Sequence, residues 1–209
     1  MRFNHVEQIV AYDLCSIRSN KRLFENLNFT VHKGNALEIH GMNGTGKTTL
    51  LKILSGMVSP SKGEIIINYG NITFNDYKKH IIFLDSSPRF REDISVLDYL
   101  IYWTTLHQNM KNISYNYINT ILNRLGLDAL KNIEISKLSL GQKKRLLLSR
   151  LLILNRQIWL LDEPYTGLDQ YWILELNYII NAHKQNGGIV FLTTHLKMND
   201  TTNYNLVLD

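Results

Sequence analysis

The chain has a single cysteine, Cys15. That excludes a disulfide framework and fits a reducing compartment. It also lacks a long hydrophobic run. Leu146 to Leu154 is the greasiest stretch, but Ser149 and Arg150 break it, and it is too short to span a bilayer. Met1 to Tyr12 carries Glu7 near its centre and no apolar core, unlike a secretory signal or an Arg-rich transit peptide. A membrane role would therefore draw its spans from other chains. Internal repeats, low-complexity tracts and long linkers are missing as well.

What is present describes one folded domain of 209 residues, with 44% hydrophobic and 20% charged side chains. A domain of this size buries roughly 70% of its unfolded surface. The net charge of +5 and pI of about 9.2 are moderate and spread along the chain. A solvated surface is the expected reading, and nucleic acid is not an expected partner.

Residues 9–18 and 27–31 read as strands joined by the polar turn Ser19-Asn20-Lys21-Arg22. Ala36–His40 reads as a buried strand, Lys47–Ser55 as a helix stopped by Gly56, and 64–68 and 81–84 as strands. From Ile94 to about Leu130 the pattern turns helical, in two pieces, the second ended by Gly126. Alternation then resumes with helix 141–153, strand 157–161, helix 170–185, strand 189–193 and a strand near 205–208. The predicted architecture is an α/β P-loop core with an N-terminal antiparallel β subdomain. A helical subdomain is expected at about 90–150, within one nucleotide-binding domain covering 1–209.

Between the strand Ala36–His40 and its helix lies Gly41-Met42-Asn43-Gly44-Thr45-Gly46-Lys47-Thr48, then Thr49. A strand, a glycine-rich turn and a helix start form a phosphate cradle. Backbone N–H groups can point inward at phosphate oxygens, and the helix start adds partial positive charge. Lys47 would reach the β- and γ-phosphates of ATP, and the Thr48 hydroxyl would ligate Mg²⁺. The apolar strand Ile158-Trp159-Leu160-Leu161 ends in Asp162-Glu163. Asp162 would hold Mg²⁺ through water, and Glu163 would polarise an attacking water as general base.

Leu138-Ser139-Leu140-Gly141-Gln142, followed by basic residues, starts 24 residues before Asp162, counting from Leu138 to Asp162. It resembles the signature of ABC ATPases, which reads Leu-Ser-Gly-Gly-Gln in most members. Another helix N-terminus is presented here, with the Ser139 hydroxyl and Gly141 N–H, beside Gln142, suited to anionic phosphate. The resemblance covers almost the whole chain. It implies that the signature faces ATP held by a second subunit, so that a homodimer closes around two ATP molecules. Thr166-Gly167-Leu168-Asp169 looks like the family's D-loop, which touches the partner. His195 looks like the switch histidine that contacts the γ-phosphate.

Two departures from the family pattern stand out. No Gln occurs between the P-loop and Gln108, where the family places one that ligates Mg²⁺ and couples to membrane subunits. Ser87 is the candidate equivalent, with shorter reach. The aromatic platform for adenine is replaced by Arg18, whose guanidinium plane can also stack on a base.

Within the family, these departures, the short chain, Asp162-Glu163-Pro164-Tyr165-Thr166 and the segment from Gly187 to His195 resemble the haem-exporter ATP-binding subunits of cytochrome c maturation. That likeness implies a peripheral ATPase paired with integral membrane transporter subunits. It would sit on the cytoplasmic face of a membrane or, if organelle-encoded, on the matrix face of the mitochondrial inner membrane. It would power haem export or release of a haem-loaded chaperone. The chain carries no Cys-x-x-Cys-His and no histidine pair suited to haem itself. Two alternatives stay open at this point: the ATPase of another small ABC transporter, and a soluble ABC protein acting on nucleic acid or the ribosome.

Overall fold

The computed structural model describes residues 5–68, 73–87, 90–108, 114–194 and 203–209. They form two compact units. The first takes Met1–Ser86, Arg156–Thr166 and Leu174–Asp209; the second takes Ser87–Asn155 and Gly167–Ile173. The helical unit is thus wider than the 90–150 expectation and gains a short segment from after the Asp-Glu pair.

The first unit holds two sheets. Strands β1 (Gln8–Arg18), β2 (Lys21–His32) and β4 (Lys62–Ile67) make an antiparallel sheet in the order β2-β1-β4. The turn between β1 and β2 is tighter than the sequence suggests. Ser19 and Asn20 both have positive φ, 47° and 62°, so two residues close the hairpin and Lys21 already belongs to β2. The extra turn of strand brings Leu23 and Phe24 into the sheet, and Phe24 joins the core.

The second sheet is parallel, in the order β5-β6-β7-β3-β8, built from β3 (Ala36–Gly41), β5 (Ile81–Leu84), β6 (Ile158–Leu161), β7 (Ile189–Thr193) and β8 (Asn203–Leu208). Every residue of β6 and β7 is buried, as expected of strands covered on both faces. Helix α1 (Lys47–Leu54) lays Leu50, Leu51, Ile53 and Leu54 into the same core as Leu37 and Ile39 of β3 and Phe191 of β7. A short helix α2 (Phe74–Lys78), which hydrophobic periodicity does not reveal, is capped by Thr73, whose Oγ1 accepts the Asp76 N–H at 3.2 Å.

Register decides what this sheet presents. Ile39 of β3 lies opposite Thr193 of β7, and Leu161 of β6 opposite Leu192. The C-terminal ends of β3, β6 and β7 therefore share one edge, the edge where ligands of open α/β sheets bind.

The second unit is helical: α3 (Val96–Gln108), α4 (Tyr115–Arg124) and α5 (Leu140–Leu154). Buried Leu100, Ile118, Leu122, Leu146, Leu147 and Leu151 supply its interior. Segment 92–97 runs beside 131–136: Ser136 N–H donates to Glu92 O at 3.1 Å, Ile135 N–H to Ile94 O at 3.0 Å and Val96 N–H to Ile133 O at 3.0 Å. The Lys143 ammonium on α5 donates to Glu92 Oε1 at 2.8 Å. Helix α6 (Gln170–Gln185) begins in this unit and continues into the first. No described helix is long and apolar enough to cross a membrane.

Candidate functional site

The turn after β3 wraps a cavity of about 480 Å³, lined by Leu23, Asn43, Gly44, Gly46, Lys47, Thr48, Thr49 and Glu163. Gly46 caps α1 with φ 105°, and a methyl added there would stand 2.9 Å from Leu23 Cβ. Only glycine allows the backbone to pass that close to β2 in this conformation. Thr45 turns back on the loop, its Oγ1 donating to Met42 O at 3.1 Å. Met42 itself points outward, 81% exposed.

Lys47 is buried in the loop and donates to Gly41 O at 2.7 Å and Met42 O at 3.0 Å. Its ammonium is held inside the ring of backbone that would surround a phosphate. Thr48 Oγ1 lies 3.1 and 2.9 Å from the two carboxylate oxygens of Asp162. Asp162 is buried and its N–H donates to Leu84 O at 2.9 Å, which fixes the strand end. A hydroxyl facing a carboxylate is an all-oxygen donor set, suited to a hard cation such as Mg²⁺ that keeps several waters.

Glu163 carries strain that marks the site. Its φ is 45°, a left-handed conformation that costs a non-glycine residue about 1–3 kcal/mol. The neighbours that hold it there are specific. Glu163 N–H donates to Thr193 Oγ1 at 2.8 Å, and Thr193 Oγ1 donates onward to Asp162 Oδ1 at 2.9 Å. Thr166 N–H closes the turn on Glu163 O at 3.3 Å, and Thr166 Oγ1 lies 3.3 Å from Glu163 Oε2. Glu163 lines the phosphate cavity.

Two lining or bracing residues, Leu23 and Thr193, were not among those the sequence pointed to. Thr193 is completely buried. The only sequence signal for it is a hydroxyl at the end of an otherwise apolar strand, and its role follows from β6–β7 register. Leu23 enters because the hairpin turn is two residues long. Arg18 stands apart from the cavity lining, its Nη2 donating to Ser59 O at 2.9 Å. Ser87 is exposed, three residues beyond β5, where the helical unit begins. His195 lies outside the described residues.

In the helical unit the signature turn is a complete capping box. Ser139 Oγ accepts Gln142 N–H at 3.2 Å, and Ser139 N–H donates to Gln142 Oε1 at 2.8 Å. Leu140 stands between them 83% exposed. The turn is thus folded and satisfied on its own, with its outer surface open.

Comparison with known proteins identifies the family. An ABC transporter family profile matches residues 24–166. The chain is 49% identical over 209 residues to the cytochrome c biogenesis ATP-binding export protein CcmA of Reclinomonas americana, covering 100% of this chain and 94% of that protein. To the protein of the same description from Pseudomonas aeruginosa it is 33% identical over 190 residues, covering 90% and 93%. Among solved structures, a putative ABC transporter ATP-binding protein from Pyrococcus furiosus superposes with a TM-score of 0.83 at 30% identity, covering 96% of this chain and 97% of that one. A P-loop braced by Asp162, a capping-box signature and a match through the length of the chain lead to one conclusion: this chain belongs to the ABC transporter family of ATP-binding, ATP-hydrolysing proteins.

Proposed function

We propose that this chain is the ATP-hydrolysing subunit of an exporter in cytochrome c biogenesis, working with integral membrane subunits to drive haem export or release of a haem-loaded chaperone. The chemistry rests on one observation: Thr48, Asp162, Thr193 and Glu163 form a continuous hydrogen-bonded array along the mouth of the P-loop. The assignment to cytochrome c biogenesis rests on the likeness to CcmA along the entire chain.

ATP enters with its phosphates in the loop 41–49. Lys47 exchanges its carbonyl partners for β- and γ-phosphate oxygens, a short movement because the ammonium is already inside the loop. Mg²⁺, held by Thr48 and through water by Asp162, would neutralise charge on the phosphates. Ser87 would be a further ligand only if its short side chain acts through water. Glu163 accepts a proton from the attacking water, and its strained backbone sets the carboxylate at the cavity. Thr193 holds the Asp162 carboxylate and the Glu163 backbone in one geometry, so the strand end is set before ATP arrives. For Arg18 to stack on adenine, its guanidinium must leave the Ser59 carbonyl.

The signature residues Ser139, Gly141 and Gln142 serve ATP bound by a second copy, so the working unit is a homodimer. His195 contacts the γ-phosphate. The chain attaches peripherally, on the cytoplasmic face of its membrane or on the matrix face in a mitochondrion. Co-purification tests the assignment. The tagged chain should bring down integral membrane subunits of a haem exporter, and a strain carrying only Lys47→Ala should lose covalently haem-loaded c-type cytochromes while other haem proteins persist. Normal cytochrome c assembly in that strain would assign the chain to another small ABC transporter.

A further inference from the structure

The segment Gly167–Ile173 follows the Asp-Glu strand end almost directly, yet it packs with the helical unit. The contacts responsible come from one face of the signature helix. Gly141 and Arg145 lie one turn apart on α5 and so share a face. A methyl added to Gly141 would stand 3.0 Å from Gly167 O, so the two backbones nearly touch. One turn on, the Arg145 guanidinium carbon lies 4.3 Å from the centre of the Trp172 ring. Its Nη1 donates to Leu125 O at 2.8 Å and Gly126 O at 3.1 Å, the two carbonyls that follow α4. Trp172 N–H in turn donates to Asp169 Oδ1 at 3.0 Å, and Ile173 N–H to Asp169 O at 3.0 Å, which caps α6. A chain of directed contacts thus runs from α4 through Arg145 and Trp172 to Asp169.

We infer that Arg145 is a positioning residue for ATP hydrolysis: anchored on the turn that ends α4 and stacked on Trp172, it locks Gly167–Asp169 to the signature turn Ser139–Gln142, so both meet the second copy's nucleotide as one block. This rests on the proposal that the signature serves a second copy. The chemistry requires arginine. A guanidinium plane covers the indole face while its edge donates to two carbonyls; a lysine ammonium is a point charge that cannot do both. An apolar side chain would fill the same space but give the Leu125 and Gly126 carbonyls no donor.

The test uses the full chain with Arg145→Lys, Trp172→Leu and the pair combined, followed by melting, ATP affinity, kcat and KM. Each single change should lower kcat on the order of tenfold or more, since small misplacements of reacting groups cost that much. KM and ATP affinity should stay within about twofold, because the P-loop is untouched. The double variant should be no slower than the slower single one, and Trp172→Phe should restore most of the rate lost in Trp172→Leu. A folded Arg145→Lys chain with the parent kcat, or losses that multiply in the double variant, would overturn the inference. Should Arg145→Lys not fold, the Trp172→Leu loss and its rescue by Trp172→Phe decide the matter. Ser139→Arg separates the two ideas. If it is inactive while Arg145→Lys runs at the parent rate, only the clamp fails; if it too runs at the parent rate, the composite site fails and takes the clamp with it.

Discussion

The P-loop and the signature turn are both helix N-termini preceded by short loops, and they solve opposite problems. At the P-loop the functional groups are buried and held by the loop and the strand end around a cavity. Lys47 is 6% exposed, and Asp162 is 3% exposed. At the signature the groups are satisfied by each other, Ser139 with Gln142, and Leu140 is 83% exposed. Buried polar groups must be fully paired or they cost several times what they contribute. A site completed by its own chain can be built that way. A surface that, as proposed, serves a second copy must stay folded without one, and the capping box achieves this by closing on itself. Preorganisation belongs to the first region and self-sufficiency to the second.

The sharpest way to break this contrast is to damage each side in turn. Lys47→Ala removes the one cation inside the loop and is expected to abolish ATP binding, read by nucleotide titration of the purified chain. Ser139→Arg should abolish hydrolysis while the monomer's ATP affinity stays at the parent value; a loss of monomer affinity would mean that the two regions serve one nucleotide in cis. Glu163→Gln acts on the P-loop side and should keep ATP binding while lowering turnover roughly 10²–10⁴-fold, the usual contribution of a positioned base. It should also accumulate an ATP-bound dimer, visible by size-exclusion chromatography, and adding Ser139→Arg should remove that dimer.

A smaller effect tests how far preorganisation extends behind the site. Thr193→Val keeps the shape of the side chain but removes the hydroxyl that joins Asp162 to the Glu163 backbone. About tenfold lower kcat with little change in ATP affinity is expected, since the Asp162 carboxylate and the Glu163 backbone lose a common brace. Losing the Thr193 hydroxyl's bonds to Glu163 N–H and Asp162 should cost about 1–3 kcal/mol of stability, measurable by denaturant titration.

The smallest effect on ATP handling is expected from a change that acts on stability through pH, confined to the first unit. His183 is buried, stacked on Trp159 at 3.7 Å between ring centres, and its Nε2 faces Gln157 O at 3.0 Å. Burial pushes its pKa down to about 4, opposed by the hydrogen bond to the Gln157 carbonyl. The folded state therefore refuses a proton that the unfolded chain accepts near its ordinary pKa of about 6.5. Stability from this group is complete above about pH 6.5 and declines as pH falls towards 4, by roughly 3 kcal/mol in total. His183→Phe should flatten that part of the stability profile. It should leave ATP affinity unchanged at neutral pH, which separates the pH effect from the nucleotide site.

Much of this molecule was readable from its residues. The P-loop, the Asp-Glu strand end and the signature are contiguous in sequence, because each is a strand-to-helix turn or a helix start whose backbone chemistry is local. The apolar runs of β3, β6 and β7 and the caps at Gly126 and Ser139 are local for the same reason. Helix α2 escaped because five residues are too few for a hydrophobic period to declare itself.

The tertiary structure alone decided the rest, and the reason is register. Thr193 reaches Asp162 only because β7 lies beside β6 with Leu192 opposite Leu161. Leu23 lines the cavity only because two left-handed residues, Ser19 and Asn20, close the hairpin and advance β2. Arg145 finds Trp172, 27 residues later, only because a glycine at 141 lets α5 approach Gly167. Sequence determines which groups can bind phosphate, hold a cation or take a proton. Which of them stand together is set by pairings distant in the chain, whose free energy comes from the packed sheet and helices rather than from any one segment.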